Sequence, residues 1–213
     1  MINVKKFTFN PFSENTYVLY DETKECVIVD PGCYEDHEKE ELSSFIKDNT
    51  LKPVRLINTH CHIDHVLGVK YIIESYGLDF QFHKMEMPIF ESTEMVAQMY
   101  GIPNVEMPIA PSSFLDETDV VEFGVSKLDI LFVPGHSPGH IAFVNNDQKF
   151  AISGDVLFYG SIGRTDLPGG EHKTLIDSIK SKLLPLGDDF VVHSGHGPAT
   201  NIGFERENNP FLL

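Results

Sequence analysis

Basic residues are scarce in this chain. Among 213 residues, 16 lysines and arginines stand against 32 aspartates and glutamates, a formal net charge of −16. A protein binds nucleic acid by replacing phosphate counterions with a basic face, and this balance argues against one. The same charge repels an anionic membrane surface. No stretch approaches the roughly 20 apolar residues of a membrane-spanning helix. Residues 1–20 lack the apolar run behind a basic start that marks a secretory leader. Cysteine is scarce too. Cys26, Cys33 and Cys61 cannot all pair with one another, and their spacing fits no zinc finger, so reduced thiols are the simplest reading. The expectation is a cytoplasmic protein that binds neither nucleic acid nor membrane, with its oligomeric state open. Repeats, low-complexity tracts and linkers are absent, and residues 1–213 read as a single domain.

Hydrophobic residues at 41% and charged residues at 23% are ordinary for a globular chain, so patterning has to supply the elements. Strands are expected over 3–10, 15–20, 26–30 and 54–58, then over 119–123, 126–133, 141–145, 149–153 and 190–193. Leu42, Phe45 and Ile46 give an apolar face to a helix over 35–48. Val69, Ile72, Ile73 and Tyr76 do so for a second helix, closed by Gly77, and Leu175, Ile176, Ile179 and Leu183 mark a third over 172–184. Both halves of the chain run from strands into a helix and a strand that ends near histidines. That order predicts an α/β fold in which two sheets pack face to face with helices outside, four layers in all. Residues 83–112 are the least regular stretch, with five of the six methionines. They suit a flap, since methionine adapts to apolar pockets, although core packing is its commoner use.

The chemistry concentrates in Thr59-His60-Cys61-His62-Ile63-Asp64-His65, directly after an apolar strand. Imidazole with carboxylate suits a catalytic metal site that keeps a position open, whereas structural zinc prefers closed thiolate coordination. Three more groups sit in short glycine-bearing turns after strands: His136 in Pro134-Gly135-His136, Asp155 in Ser153-Gly154-Asp155, and His196 in Ser194-Gly195-His196-Gly197. Glycine lets such turns aim a side chain into one cleft. Each alone reads as a turn residue; together with the first cluster they read as ligands.

In this order of residues the chain resembles the metallo-β-lactamase superfamily, and within it the glyoxalase II type of thioester hydrolase, from Glu14-Asn15-Thr16-Tyr17 to the C-terminus. The resemblance implies the αβ/βα sandwich. It also implies two divalent metal ions, zinc first, with iron or manganese as alternatives. His60, His62 and His136 would hold one ion and Asp64, His65 and His196 the other, with Asp155 bridging. The implied chemistry is hydrolysis of a small-molecule S-2-hydroxyacyl thioester. Water shared by two close cations ionises near neutrality and attacks the carbonyl, Asp64 orients it, and the thiolate leaves without a strong acid. Many β-lactamases of the superfamily lack a histidine at the position of His65, which points away from antibiotic hydrolysis.

In glyoxalase II a lysine stands at the position of Arg164 and a tyrosine at that of Asp166, and both help hold the glutathione carboxylate. Arg164 can keep the anion-binding role, because its fork suits carboxylate. Asp166 cannot replace the tyrosine and repels an anion. The other reading of these two is an internal pair that shapes the loop. The short stretch after His196 leaves the family's C-terminal helical substrate domain unaccounted for. Cys61 is expected to pack rather than ligate, and His140 to support. His37, His83, His172 and His193 read as surface or core residues.

Asn58-Thr59-His60-Cys61-His62 and Gly163-Arg164-Thr165-Asp166 are also similar to stretches of persulfide dioxygenases, which share the fold and use one iron on the equivalents of His60, His136 and Asp155. His196-Gly197-Pro198-Ala199-Thr200 with Asn209-Pro210-Phe211 is more similar to short single-domain hydrolases. The hydrolase reading therefore comes first and the dioxygenase is its alternative. A lactonase is third, and a non-catalytic metal-binding module last.

Overall fold

The computed structural model describes residues 1–105, 110, 111 and 113–213. The part of the expected flap at 106–109 and 112, Met107 included, lies outside the described residues.

The first sheet holds β1 (Asn3–Phe9), β2 (Glu14–Tyr20), β3 (Glu25–Val29), β4 (Lys52–Ile57) and β5 (Phe80–Gln81), in that order across the sheet. The first three pair antiparallel as hairpins. β3, β4 and β5 pair in parallel, with α1 (Asp36–Asp48) and α2 (Val69–Tyr76) as their crossovers. Strand alternation divides the apolar residues between two faces. Tyr17, Leu19, Val27, Val29 and Ile57 turn toward the second sheet. Val18, Cys26, Ile28 and Leu56 turn outward, onto Leu42 and Ile46 of α1 and Val69 and Ile72 of α2. Both faces are covered, so Cys26 to Val29 is a continuous apolar run with no exposed surface. Each such side chain contributes about 1.5–3 kcal/mol by leaving water. Gly77 ends α2 in the left-handed region at φ 67°, as its position after the apolar stripe predicts.

After β5 come α3 (Met87–Glu91) and α4 (Thr93–Tyr100), so the stretch expected to be irregular holds two helices. α4 buries only Thr93 and Ala97, which leaves no apolar stripe in the sequence to announce it. The second sheet runs β13 (Thr200–Asn201), β12 (Val191–Ser194), β9 (Phe150–Gly154), β8 (Ile141–Asn145), β7 (Ser126–Phe132) and β6 (Val120–Phe123). Its inner face presents Phe123, Leu128, Ile130, Phe143 and Ile152 to the first sheet. Its outer face packs Ala142, Val144, Ala151 and Val192 against Leu175 and Ile179, which belong to α5 (His172–Ser178) and the turn after it, and against Ile202 of α6 (Ile202–Asn208). The helix predicted over 172–184 is α-helical only to Ser178, then widens into a π segment, Ile179–Leu183, and closes as a 3-10 turn. A small hairpin of β10 (Leu157–Phe158) and β11 (Ser161–Ile162) follows β9. The predicted four-layer sandwich is the observed architecture.

One polar clasp joins the sheets beside the β6–β7 turn. Asp21 accepts from Thr23 N and Oγ1 at 2.9 and 2.6 Å, and from Val125 N and Ser126 Oγ, both at 2.8 Å. Burial pushes its carboxyl up, but these donors outweigh it and bring the pKa down to about 2. All three cysteines are buried and free. No helix among the described residues is long and apolar enough to cross a membrane.

Candidate metal centre

Four strand ends deliver the predicted ligands to one place. His60 to His65 follow β4, His136 follows β7, Asp155 follows β9 and His196 follows β12. His62 Nδ1 lies 2.8 Å from His136 Nε2, and the His60 ring centroid is 4.8 and 4.9 Å from theirs. His65 Nε2 stands 3.7 Å from Asp64 Oδ2 and 3.5 Å from Asp155 Oδ1. His196 Nε2 is 3.1 Å from Asp64 Oδ2 and 3.5 Å from Asp155 Oδ2, and His136 Nε2 is 3.6 Å from the same Asp155 oxygen. Thus His60, His62 and His136 form one group and Asp64, His65 and His196 a second, with Asp155 against both. Gly195 is required by closeness: a Cβ there would stand 2.1 Å from Asp155 Oδ1 and 2.8 Å from the His65 ring.

The outer hydrogen bonds decide which ring nitrogen carries a proton. Thr59 Oγ1 donates to Asp30 Oδ2 at 2.6 Å, so it can only accept from His60 Nδ1, 3.1 Å away. His136 Nδ1 meets the Arg164 carbonyl at 2.8 Å, and His196 Nδ1 meets those of Phe12 and Ser13 at 3.1 and 3.2 Å. His65 Nδ1 faces Asp30 Oδ2 at 3.2 Å. Each of these partners is an acceptor at that contact, so Nδ1 carries a proton in His60, His136 and His196, and Nε2 of each ring turns inward.

Burial pushes the pKa values of His60 and His136 down and takes that of His62 to about 3, which keeps these rings neutral. His65 behaves differently. Burial opposes its charge, but Asp64 and Asp155 outweigh burial and raise its proton affinity. The same two carboxylates raise His196 to about 10 against its own burial. Burial would likewise push Asp155 up, yet His65 and His196 hold it well below the usual carboxylate range. Two buried carboxylates thus draw positive charge to this point, and His60 Nε2, His65 Nε2 and Asp155 Oδ1 are buried without a hydrogen-bond partner. Neutral His60, His62 and His136, ionised carboxylates that draw positive charge to His65 and His196, and inward-facing unpartnered atoms suit divalent cations, which would take the place of the protons on those two rings, so the residues fit them.

Three carboxylates behind the cluster escape a sequence reading. Asp30, at φ 50°, accepts from Thr59 N at 2.7 Å as well as from its hydroxyl, and it orients His65. Like Asp155 it ends an apolar strand, a signal that could have found it. Glu14 Oε1 lies 3.8 Å from His65 Nδ1 in full burial. Glu86 precedes α3 and joins the two ligand loops. It accepts from Cys61 N at 2.9 Å and from Ser137 Oγ and Gly139 N, both at 2.6 Å. Nothing in Glu86's local sequence announces this.

Cys61 is buried in the outer core and belongs to none of the three metal-capable groups among the described residues. His140 stacks on His60 at 4.7 Å and accepts from Asp155 N at 3.1 Å, the supporting place expected of it. Arg164 lines the cavity, but its guanidinium donates to Asp166 Oδ1 and Oδ2 at 2.7 and 2.8 Å. The cavity above the cluster has a volume of about 520 Å³. Asp64, Asp155, His62, His136 and His196 border it below; Ile89 of α3 and Thr93, Val96 and Tyr100 of α4 form one wall. The Tyr100 ring meets Phe12 edge-on at 5.4 Å.

A family model for the metallo-beta-lactamase superfamily matches residues 9–196. The chain is 38% identical to hydroxyacylglutathione hydrolase GloC of Haemophilus influenzae over 212 residues, 99% of this chain and 98% of that protein. Among solved structures, that of the B3 metallo-beta-lactamase BLEG-1 superposes with a TM-score of 0.90 at 36% identity, covering 99% of this chain and 100% of that one. A di-iron-bound form of TTHA1623 superposes with a TM-score of 0.87, also at 36% identity, covering 98% and 100%. Fold, ligand order and likeness over nearly the whole length agree: the chain belongs to the metallo-β-lactamase superfamily.

Proposed function

We propose that the protein is a metal-dependent thioester hydrolase of the glyoxalase II type, working with two divalent cations. The observation that carries this reading is the convergence of seven side chains, with unpartnered nitrogens and oxygens, at the floor of one cavity. His60, His62 and His136 would hold one cation and Asp64, His65 and His196 the other, with Asp155 shared. Bound there, such cations lower the pKa of a water toward neutrality and stabilise the charge that develops on a carbonyl oxygen. The chain's own residues do the rest. Asp64, ionised and at the cavity floor, orients the attacking water through a carboxylate oxygen. Thr59 holds the His60 ring and Asp30 stands behind the His65 ring, so that Nε2 of each faces inward. Phe12 and α4 screen the cavity from solvent, and we assign the described part of 83–112 the part of a flap. A thiolate leaves readily, which suits a site with no strong acid.

Similarity to GloC supports a thioester substrate, and a di-iron relative makes iron a candidate beside zinc and manganese. The test uses protein stripped of metal and reconstituted separately with zinc, iron and manganese. Thiol release from a thioester without oxygen uptake is the expected result. Oxygen consumption with a persulfide by the iron form, with no thiol release from any form, would replace this reading by the dioxygenase. Likeness to BLEG-1 adds a cephalosporin to the panel, and turnover of that substrate alone would make the protein a β-lactamase.

A further inference from the structure

The cavity above the cluster has a chemical character of its own. Away from the cluster its walls are apolar: Ile89, Val96 and Tyr100 on the α3–α4 side, and Phe158, Ile162 and Leu167 opposite. Among the described residues that line it, Arg164 is the single lysine or arginine. Arg164 is already engaged by both oxygens of Asp166. The two charges offset each other at the cavity rim, and Asp166 stays beside any carboxylate that reaches the guanidinium. Among the described lining residues an anionic leaving group therefore meets no lysine or arginine free of a carboxylate, and it approaches a chain of net charge −16. An apolar chain, in contrast, finds walls that exclude water.

We infer, resting on the thioester-hydrolase reading, that the substrate is a thioester of an apolar acyl chain and an uncharged thiol, rather than one built on a polyanionic thiol such as glutathione. Water adds across the carbonyl carbon–sulfur bond, giving a carboxylate, a thiol and one proton. A cavity of about 520 Å³ holds such a molecule whole.

The test is a kinetic comparison on the metal-reconstituted protein. Neutral S-acyl-N-acetylcysteamines from acetyl to octanoyl vary the acyl chain, and S-butyrylglutathione is set against S-butyryl-N-acetylcysteamine to vary only the thiol. kcat/KM should rise about threefold to fourfold per added methylene until the cavity is filled. The neutral butyryl ester should exceed its glutathione counterpart by about tenfold or more. Asp166→Ala releases Arg164 and should raise the glutathione-to-neutral ratio of kcat/KM by about fivefold, a change of ratio that general damage to the loop does not produce. A glutathione ester cleaved as fast as its neutral counterpart, or a flat chain-length series, would overturn the inference while leaving the hydrolase reading intact. An unchanged ratio in Asp166→Ala would overturn the role given to the Arg164–Asp166 pair. Absence of thiol release from every thioester would overturn the hydrolase reading, and the inference with it.

Discussion

Asp155 and Cys61 both border the cavity, yet truncation of each should act differently. Asp155 faces His65, His136 and His196 at once, so Asp155→Ala should empty both proposed metal positions. Cys61 packs its sulfur in the outer core, so Cys61→Ser should keep its metal and lose about 1–2 kcal/mol of stability to a buried hydroxyl. Metal analysis with urea unfolding checks both, and metal loss in Cys61→Ser would count against its packing role. Asp21 gives a pH prediction. Its folded pKa of about 2 lies below the ordinary carboxylate value, so its contribution is present above about pH 4 and is lost as pH falls through the folded pKa. It should be worth about 2 kcal/mol at neutrality and roughly half that at pH 3. Unfolding of wild type and Asp21→Asn at both pH values measures this, and a gap independent of pH would refute it. The histidine cluster was legible in the sequence because its residue types are rare and crowded. Asp30 and Glu14 were not, because their role depends on partners brought by the fold.

At the scale of elements, the turn into α3 matters more than its place in an expected flap suggests. Through Glu86 it fastens the loop after β4 to the loop after β7. Glu86→Ala would leave three donors unpaired in a buried place, a loss of about 3 kcal/mol. It should also weaken metal affinity about 10- to 100-fold, because the loops that carry His60 and His136 lose their common anchor. Glu86→Gln should recover part of the affinity, since its carbonyl can still accept from Ser137 and Gly139. Competition with a chelator measures the affinity, and unaltered metal binding in Glu86→Ala would show that the loops hold themselves. The longer strands were legible as apolar runs bounded by turn residues, and α2 through its apolar stripe. The two-residue β5 and β13 carry no period to detect. α4 hides because it buries small or polar residues and turns Val96 and Tyr100 to the cavity.

At the scale of the whole molecule, the layers were legible because the order of strands and helices in both halves dictates two sheets with helices outside. The position of the cluster, where both sheets end, also has an energetic consequence. Cations held there would tie His60 to His65 on one sheet to His136, Asp155 and His196 on the other. A ligand at 100 times its Kd adds about 2.7 kcal/mol. Chelation should therefore lower Tm by several degrees, and added zinc or iron should restore it. A Tm indifferent to chelator would mean that the sandwich stands without help from its ions.

Each of the two large sheets is drawn from one continuous half of the chain, β1 to β5 from the first and β6 to β9 with β12 and β13 from the second. Gly101, exposed and just beyond α4, lies between them. A backbone cut after Gly101 would leave each piece a complete sheet with its own helices, a bare inner face, and only part of the metal-binding set. Neither piece could be active alone. Produced together, they should associate through the shared inner core and regain metal and turnover. The protein would then serve as a two-part reporter whose signal requires that its halves meet. Co-elution of the pieces with bound metal is the expected result, and pieces that remain separate or metal-free would show that the covalent link is needed for assembly.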